Sequence, residues 1–205
     1  MKPVKLMLST FLIVITMIAN AQKVKLTEGS LDNWSNDTAY NIIFTYDGMH
    51  VGDYKTEEDY IADHTEALNK KKPGMGDEWA VKWRGNKKEI FEPKFTDMFS
   101  TYTGSSIKND ATYTIIVHTI QTNVGFNVAG GMFMGSSKSA FVDAEVTVVK
   151  TSEPSKKIAV ITIDSAKGRT GNTTSGAVND GGLRISESYA SAGKALAKFV
   201  KKDKD

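Results

Sequence analysis

The sequence predicts an α+β domain: a largely antiparallel sheet of four or five strands with helices packed on one face. Three strand-like runs follow one another in the second half, at 112–122, 140–149 and 157–164. They are rich in Val, Ile and Thr, which suit a pleated, half-buried surface. Helical patterns flank that group, one block between 57 and 102 and another closing the chain from about Leu183. A chain of 205 residues, 40% hydrophobic and 24% charged, supplies one core. That composition excludes a disordered or collagen-like polypeptide.

Residues 1–21 read as a signal peptide, leaving 22–205 as a single domain. Met1 to Lys5 carries two lysines and no acid, and Leu6 to Ile18 is apolar and ends in the small-residue triplet Ala19-Asn20-Ala21. An apolar run of that length is too short to span a bilayer comfortably, and the triplet fits a signal peptidase pocket. Cleavage after Ala21 implies export to the periplasm or the medium. No cysteine follows the site, so no lipid anchor is expected. Removing Lys2 and Lys5 leaves 24 basic and 24 acidic residues. With no net charge, no nucleic-acid partner is expected.

Val24 to Thr27 offers a first short strand, followed by a polar turn region at Asp32 to Asp37. Ala39 to Tyr46 is rich in β-branched and aromatic residues and reads as the next strand. A helix over 57–71 follows from its ends: Thr56 as N-cap, Glu57, Glu58 and Asp59 in the first turn, and Lys70 to Lys72 before Pro73-Gly74. Its apolar stripe is Tyr60, Ile61, His64 and Leu68. A second helix begins near Asp77, carries Trp79 and Trp83 one turn apart, and restarts after Pro93 with Phe95, Met98, Phe99 and Tyr102. In the run at 140–149 the positions Ala140, Val142, Ala144, Val146 and Val148 face one way. Asp143, Glu145 and Thr147 face the other, which predicts one wet sheet face. Thr151 to Ser155 reads as the turn to the last strand. Ser165 to Gly182 has almost nothing to bury and reads as a long flexible loop. Ile185, Tyr189, Ala192, Leu196 and Phe199 form the stripe of the closing helix.

Chemistry is sparsely signalled. With no cysteine, thiol catalysis and thiolate metal sites are excluded, and His50, His64 and His118 are the only imidazoles. They show no zinc spacing, and no Asp-rich calcium loop is present, so neither a metal nor a cofactor is expected. Ser-x-x-Lys occurs twice, at Ser105/Lys108 and Ser191/Lys194, without its companion elements. Gly168 to Thr174 lacks the lysine of a phosphate-binding loop. Asp37-Thr38-Ala39 and Asp164-Ser165-Ala166 are similar to an O-glycosylation acceptor triplet of exported bacterial proteins, and both also suit ordinary turns. The expectation is a non-catalytic protein. An enzyme reading would need His118 to meet Asp143 and Glu145 across a strand pair, and a glycan-binding reading would need Trp79 and Trp83 exposed together.

Ala111 to Ser137 has no Asp, Glu, Lys or Arg in 27 residues. Its second part places Phe126, Val128, Met132, Phe133 and Met134 in a glycine-rich connection, where apolar side chains would face water. Two readings follow: a loop folded over the sheet, or an adaptable recognition tip for an envelope protein or a lipid surface.

The order of elements, Val124-Gly125-Phe126 with its following glycines leading into Ala140 to Val149, and the final helix ending Lys194-Ala195-Leu196-Ala197-Lys198-Phe199-Val200 together carry a resemblance. Over roughly 39–202 the chain resembles a broad group of bacterial envelope proteins of unknown function, commonly lipoproteins. That group is similar in architecture to the curli secretion channel subunit, the outer-membrane activators of penicillin-binding proteins and the N-terminal domain of the Tol periplasmic protein. The resemblance implies a small α+β domain that works by protein contact and offers no catalytic residues to match. Two features depart from it: the lipid-bearing cysteine is missing, and the helical insertion after the first strand is long.

Overall fold

The computed structural model describes residues 23–128, 136–168 and 181–202. The strands are β1 (Lys23–Gly29), β2 (Ala39–Thr45), β3 (His50–Val51), β4 (Ser106–Ile107), β5 (Tyr113–Asn123), β6 (Phe126–Val128), β7 (Ser136–Lys138), β8 (Phe141–Lys150) and β9 (Glu153–Lys167). The helices are α1 (Glu57–Lys71), α2 (Met75–Asn86), α3 (Glu92–Thr103) and α4 (Gly181–Lys202). The main sheet runs β1-β9-β8-β5-β2-β4, with β3 also on β5, and β6 pairs with β7 in a separate two-stranded ribbon.

The α+β class holds, with more strands than expected and a mixed sheet. β5, β8, β9 and β1 are antiparallel neighbours, whereas β2 runs parallel to β5. The reason is the helical insertion: α1 to α3 carry the chain back to the end where β2 began, and a parallel neighbour needs such a crossover.

Alternation decides what is buried. Ile115 and Val117 of β5, Val142, Val146 and Val148 of β8, and Ile161 and Ile163 of β9 are at most 1% exposed. They share a core with Phe95 and Phe99 of α3 and Ile185, Tyr189 and Leu196 of α4. Each such side chain contributes about 1.5 to 3 kcal/mol by leaving water. α3 and α4 approach closely at Gly193, where an added Cβ would lie 2.2 Å from the Phe95 carbonyl oxygen.

The helical block turns on a four-residue spacing. Trp83, Lys87, Phe91, Phe95 and Phe99 recur every fourth position, which in a pure α-helix drifts about 40° per step. A π-turn at Lys87–Phe91 joins α2 to α3 and offsets that drift. Pro93, expected to precede a restart, lies inside the first turn of α3 directly after the π-turn, so the departure from α-helical pairing falls where the proline has no N–H to give.

Two local expectations are corrected. The turn after β8 is tighter than Thr151 to Ser155, because Glu153 already pairs with Lys150. Pro154 is accommodated where the register shifts. Ser165 to Lys167 belongs to β9 rather than to a loop: Ser165 takes φ 52° and donates its amide to Asp143 Oδ1 at 2.6 Å, and Gly168 donates to the Ala140 carbonyl. Gly181 and Gly182 open α4. The rest of that expected loop, 169–180, lies outside the described residues, as does the expected signal peptide.

Candidate functional site

Strand register places the residues of the enzyme reading. Lys25, Thr162, Glu145, His118 and Thr45 form one row across the sheet face that points away from the helices. His118 lies between the buried Val117 and Thr119 and is half-buried, with Nδ1 2.9 Å from Thr45 Oγ1. Glu145 stands directly opposite it. Asp143 is displaced along the strand by the bulge at Ile120, pairs with Gln121, and holds the Ser165 amide. Burial raises the Asp143 carboxyl above the usual carboxylate range, while the Ser165 N–H works against that rise. Register therefore joins His118 and Glu145 but ties Asp143 to the bulge. Among the described residues no hydrogen bond links the imidazole to either carboxylate, and no group of three or more His, Asp or Glu could hold a metal ion.

The tryptophans do not make an exposed pair. Trp83 is 3% exposed and donates from Nε1 to Glu57 Oε1 at 2.9 Å; Trp34 is fully buried and donates to the Ser30 carbonyl. Trp79 packs on His64 and Trp83, and Tyr60 completes the cluster. Joint exposure of Trp79 and Trp83, the condition for glycan stacking, is absent because the amphipathic face of α2 is used against α1. Burial in this cluster, with Lys71 nearby, lowers the His64 pKa, and burial pushes Tyr60 up to about 12. His50 is exposed in β3.

An open cleft of about 620 Å³ lies at the end of β2, between Thr45 to Met49 and the first turn of α1. Inside it Lys87 pairs with Glu57, whose side chain is only 10% exposed, and the ammonium sits 4.7 Å from the centre of the Tyr46 ring. Tyr46 donates in turn to Glu92 Oε1 at 3.3 Å, and burial raises its hydroxyl pKa. Sequence reasoning assigns Glu57 to the helix dipole and gives Lys87 no role. Thirty positions separate the two, so no helical spacing rule could pair them.

The connection from β5 to β8 is partly strand rather than an irregular loop. In the ribbon Phe126 pairs with Lys138, Asn127 with Ser137 and Val128 with Ser136. Gly125 turns the chain into it at φ 63°, where a Cβ would meet the Lys138 carbonyl oxygen at 2.2 Å. Phe126 is 46% exposed. Val128 belongs to β6, whereas Met132, Phe133 and Met134 lie outside the described residues.

Comparison with known proteins adds no family. No protein-family model and no curated protein matches the chain. Among solved structures, it is similar to the PelC dodecamer from Paraburkholderia phytofirmans at 11% identity and TM-score 0.31, covering 83% of this chain and 96% of that one. A dodecamer of a single-substitution PelC variant from the same organism gives 11% identity and TM-score 0.33, with 83% and 99% covered. Likeness at that level carries no functional argument.

Proposed function

We propose that the chain is an exported envelope module that acts by binding or assembly rather than by catalysis, with the β6–β7 ribbon as its contact surface. The observation behind this reading is Phe126, a large apolar ring 46% exposed on a ribbon outside the main sheet. It stands at the root of an uncharged stretch that continues through Met132, Phe133 and Met134. A single exposed apolar side chain is ordinary, as at Ile43 and Ile120. The sequence that follows Phe126, however, adds Met and Phe without charge, a composition suited to a surface that a partner covers, and methionine adapts to that partner's shape. An envelope protein is the partner this reading names first; a lipid surface is the other arm of the test. Export is supported by the lysine-flanked apolar run and Ala19-Asn20-Ala21.

A Phe126→Ser, Phe133→Ser double variant should keep its melting temperature, lose a specific co-purifying envelope protein, and leave flotation with lipid vesicles unchanged. Loss of vesicle binding alone would move the reading to lipid. A large fall in stability would place the rings in a core and remove the ribbon as a contact surface. Intact mass of the exported protein should correspond to a chain beginning at Gln22, and retention of Met1 would contradict export by cleavage.

A further inference from the structure

The cleft at the end of β2 is independent of the ribbon and has the features of a small-molecule site. Its volume of about 620 Å³ falls within the range of such sites, about 300 to 1,000 Å³. It opens beyond the carboxyl end of a strand in a parallel pair, where the chain turns into α1 and leaves a crevice. Phe44 and the buried Met49 give it an apolar wall.

Its polar groups are unequal. Glu57 uses both carboxylate oxygens, one on the Trp83 indole and one on Lys87. Lys87 has three N–H donors and spends one on Glu57, with its ammonium held against the Tyr46 ring. A donor therefore remains on an ammonium whose side chain is only 19% exposed and lines the cleft. A charge pair withdrawn from water in this way is costly unless its geometry is well satisfied. Lys87 also opens the π-turn, a feature frequent at functional sites as well as one that aligns the core residues of the helical block. At the rim, the exposed Asp47 and Glu58 carboxylates have no ion pair or hydrogen bond among the described residues. Lys87 and Glu57 neutralise each other, so the interior does not favour a carboxylate or phosphate, whereas the rim attracts a cation.

We propose that this cleft binds a small primary amine carrying a neutral oxygen, the oxygen accepting from Lys87 and the ammonium lying between Asp47 and Glu58. The Trp83 indole, bonded to the carboxylate that holds Lys87, reports occupancy. The test uses the chain from Gln22 to Asp205 labelled with nitrogen-15, titrated with glucosamine and with glycinamide and, in parallel, with their N-acetyl forms, which keep the shape and lose the charge. Both amines should shift the Trp83 indole N–H signal, assigned through Trp83→Phe, in a saturable manner. The N-acetyl forms should bind about tenfold more weakly, and so should the amines to an Asp47→Asn, Glu58→Gln variant, as expected for two solvent-exposed charge contacts. Lys87→Met should abolish the shift; since it strands Glu57 and can unfold the chain, the rim variant decides if it does. No saturable shift with either amine, equal binding of the acetylated forms, or binding indifferent to the rim variant would each overturn the proposal.

Discussion

The uncharged stretch 111–137 has two halves with opposite fates. In β5, Ile115 and Val117 are at most 1% exposed, because β8 and β2 pair on either side and α3 and α4 cover one face. In the ribbon, three residues pair with three, and Phe126 stays 46% exposed. Both halves lack charge, though the first is rich in β-branched residues and the second in glycine. What separates them is cover: the β5 side chains that face α3 and α4 are buried, Ile120 of the same strand is 44% exposed much as Phe126 is, and a two-stranded ribbon cannot bury its own side chains. A lack of charge therefore accompanies buried and exposed side chains alike, and what packs over each one tells them apart.

Substitution on the two sides should break that symmetry most visibly. Ile115→Ser removes buried methyl groups and leaves a hydroxyl in the core, so it should cost about 3 to 5 kcal/mol in urea unfolding. A cost below about 1 kcal/mol would mean that β5 is not the centre of the core. Next in size is Gly193→Val at the α3–α4 approach, where the new side chain meets the Phe95 carbonyl; about 1 to 3 kcal/mol should be lost as the helices separate. Such a variant that melts at the parental temperature would show that α4 is not seated as closely as described.

A smaller effect comes from the α1–α2 cluster. Burial and Lys71 lower the His64 pKa in the fold, so as pH falls below the ordinary value of 6.5 the unfolded chain takes the proton first. Stability should decline with acidification through that window. His64→Phe, which keeps a ring against Tyr60 and Trp79, should reduce the difference in unfolding free energy between pH 7.5 and pH 5. An unchanged difference would assign the slope to other groups. Smallest of all is Phe126→Ser, which should alter stability by no more than about 0.5 kcal/mol, as for a surface position.

Much of the scaffold is legible in the sequence because its signals are local. α1 begins and ends at the residues its caps indicate, with Thr56 Oγ1 accepting from the Asp59 amide at 3.0 Å. β8 buries the alternate residues Val142, Ala144, Val146 and Val148. Pairings between distant segments are not encoded locally. The parallel alignment of β2 on β5 and the meeting of Glu57 with Lys87 depend on how the helical block returns, and the seat of β1 on β9 joins Val24 to the distant Ile163. His118 faces Glu145 through a register fixed across a connection that no turn rule covers. Trp83 is readable as an anchor of α2, but its hydrogen bond to Glu57 is not, since helical spacing says nothing about the neighbouring helix.

Contact from the ribbon can be compared directly with contact from the open sheet face. A photoreactive residue placed at 126, and in a separate variant at the exposed Ile43 of β2, would be activated in the producing cells and the adducts resolved by mass. The ribbon account predicts a discrete protein adduct from position 126 and none of that mass from position 43. A discrete adduct from 43 with nothing from 126 would contradict it, placing the working surface on the sheet.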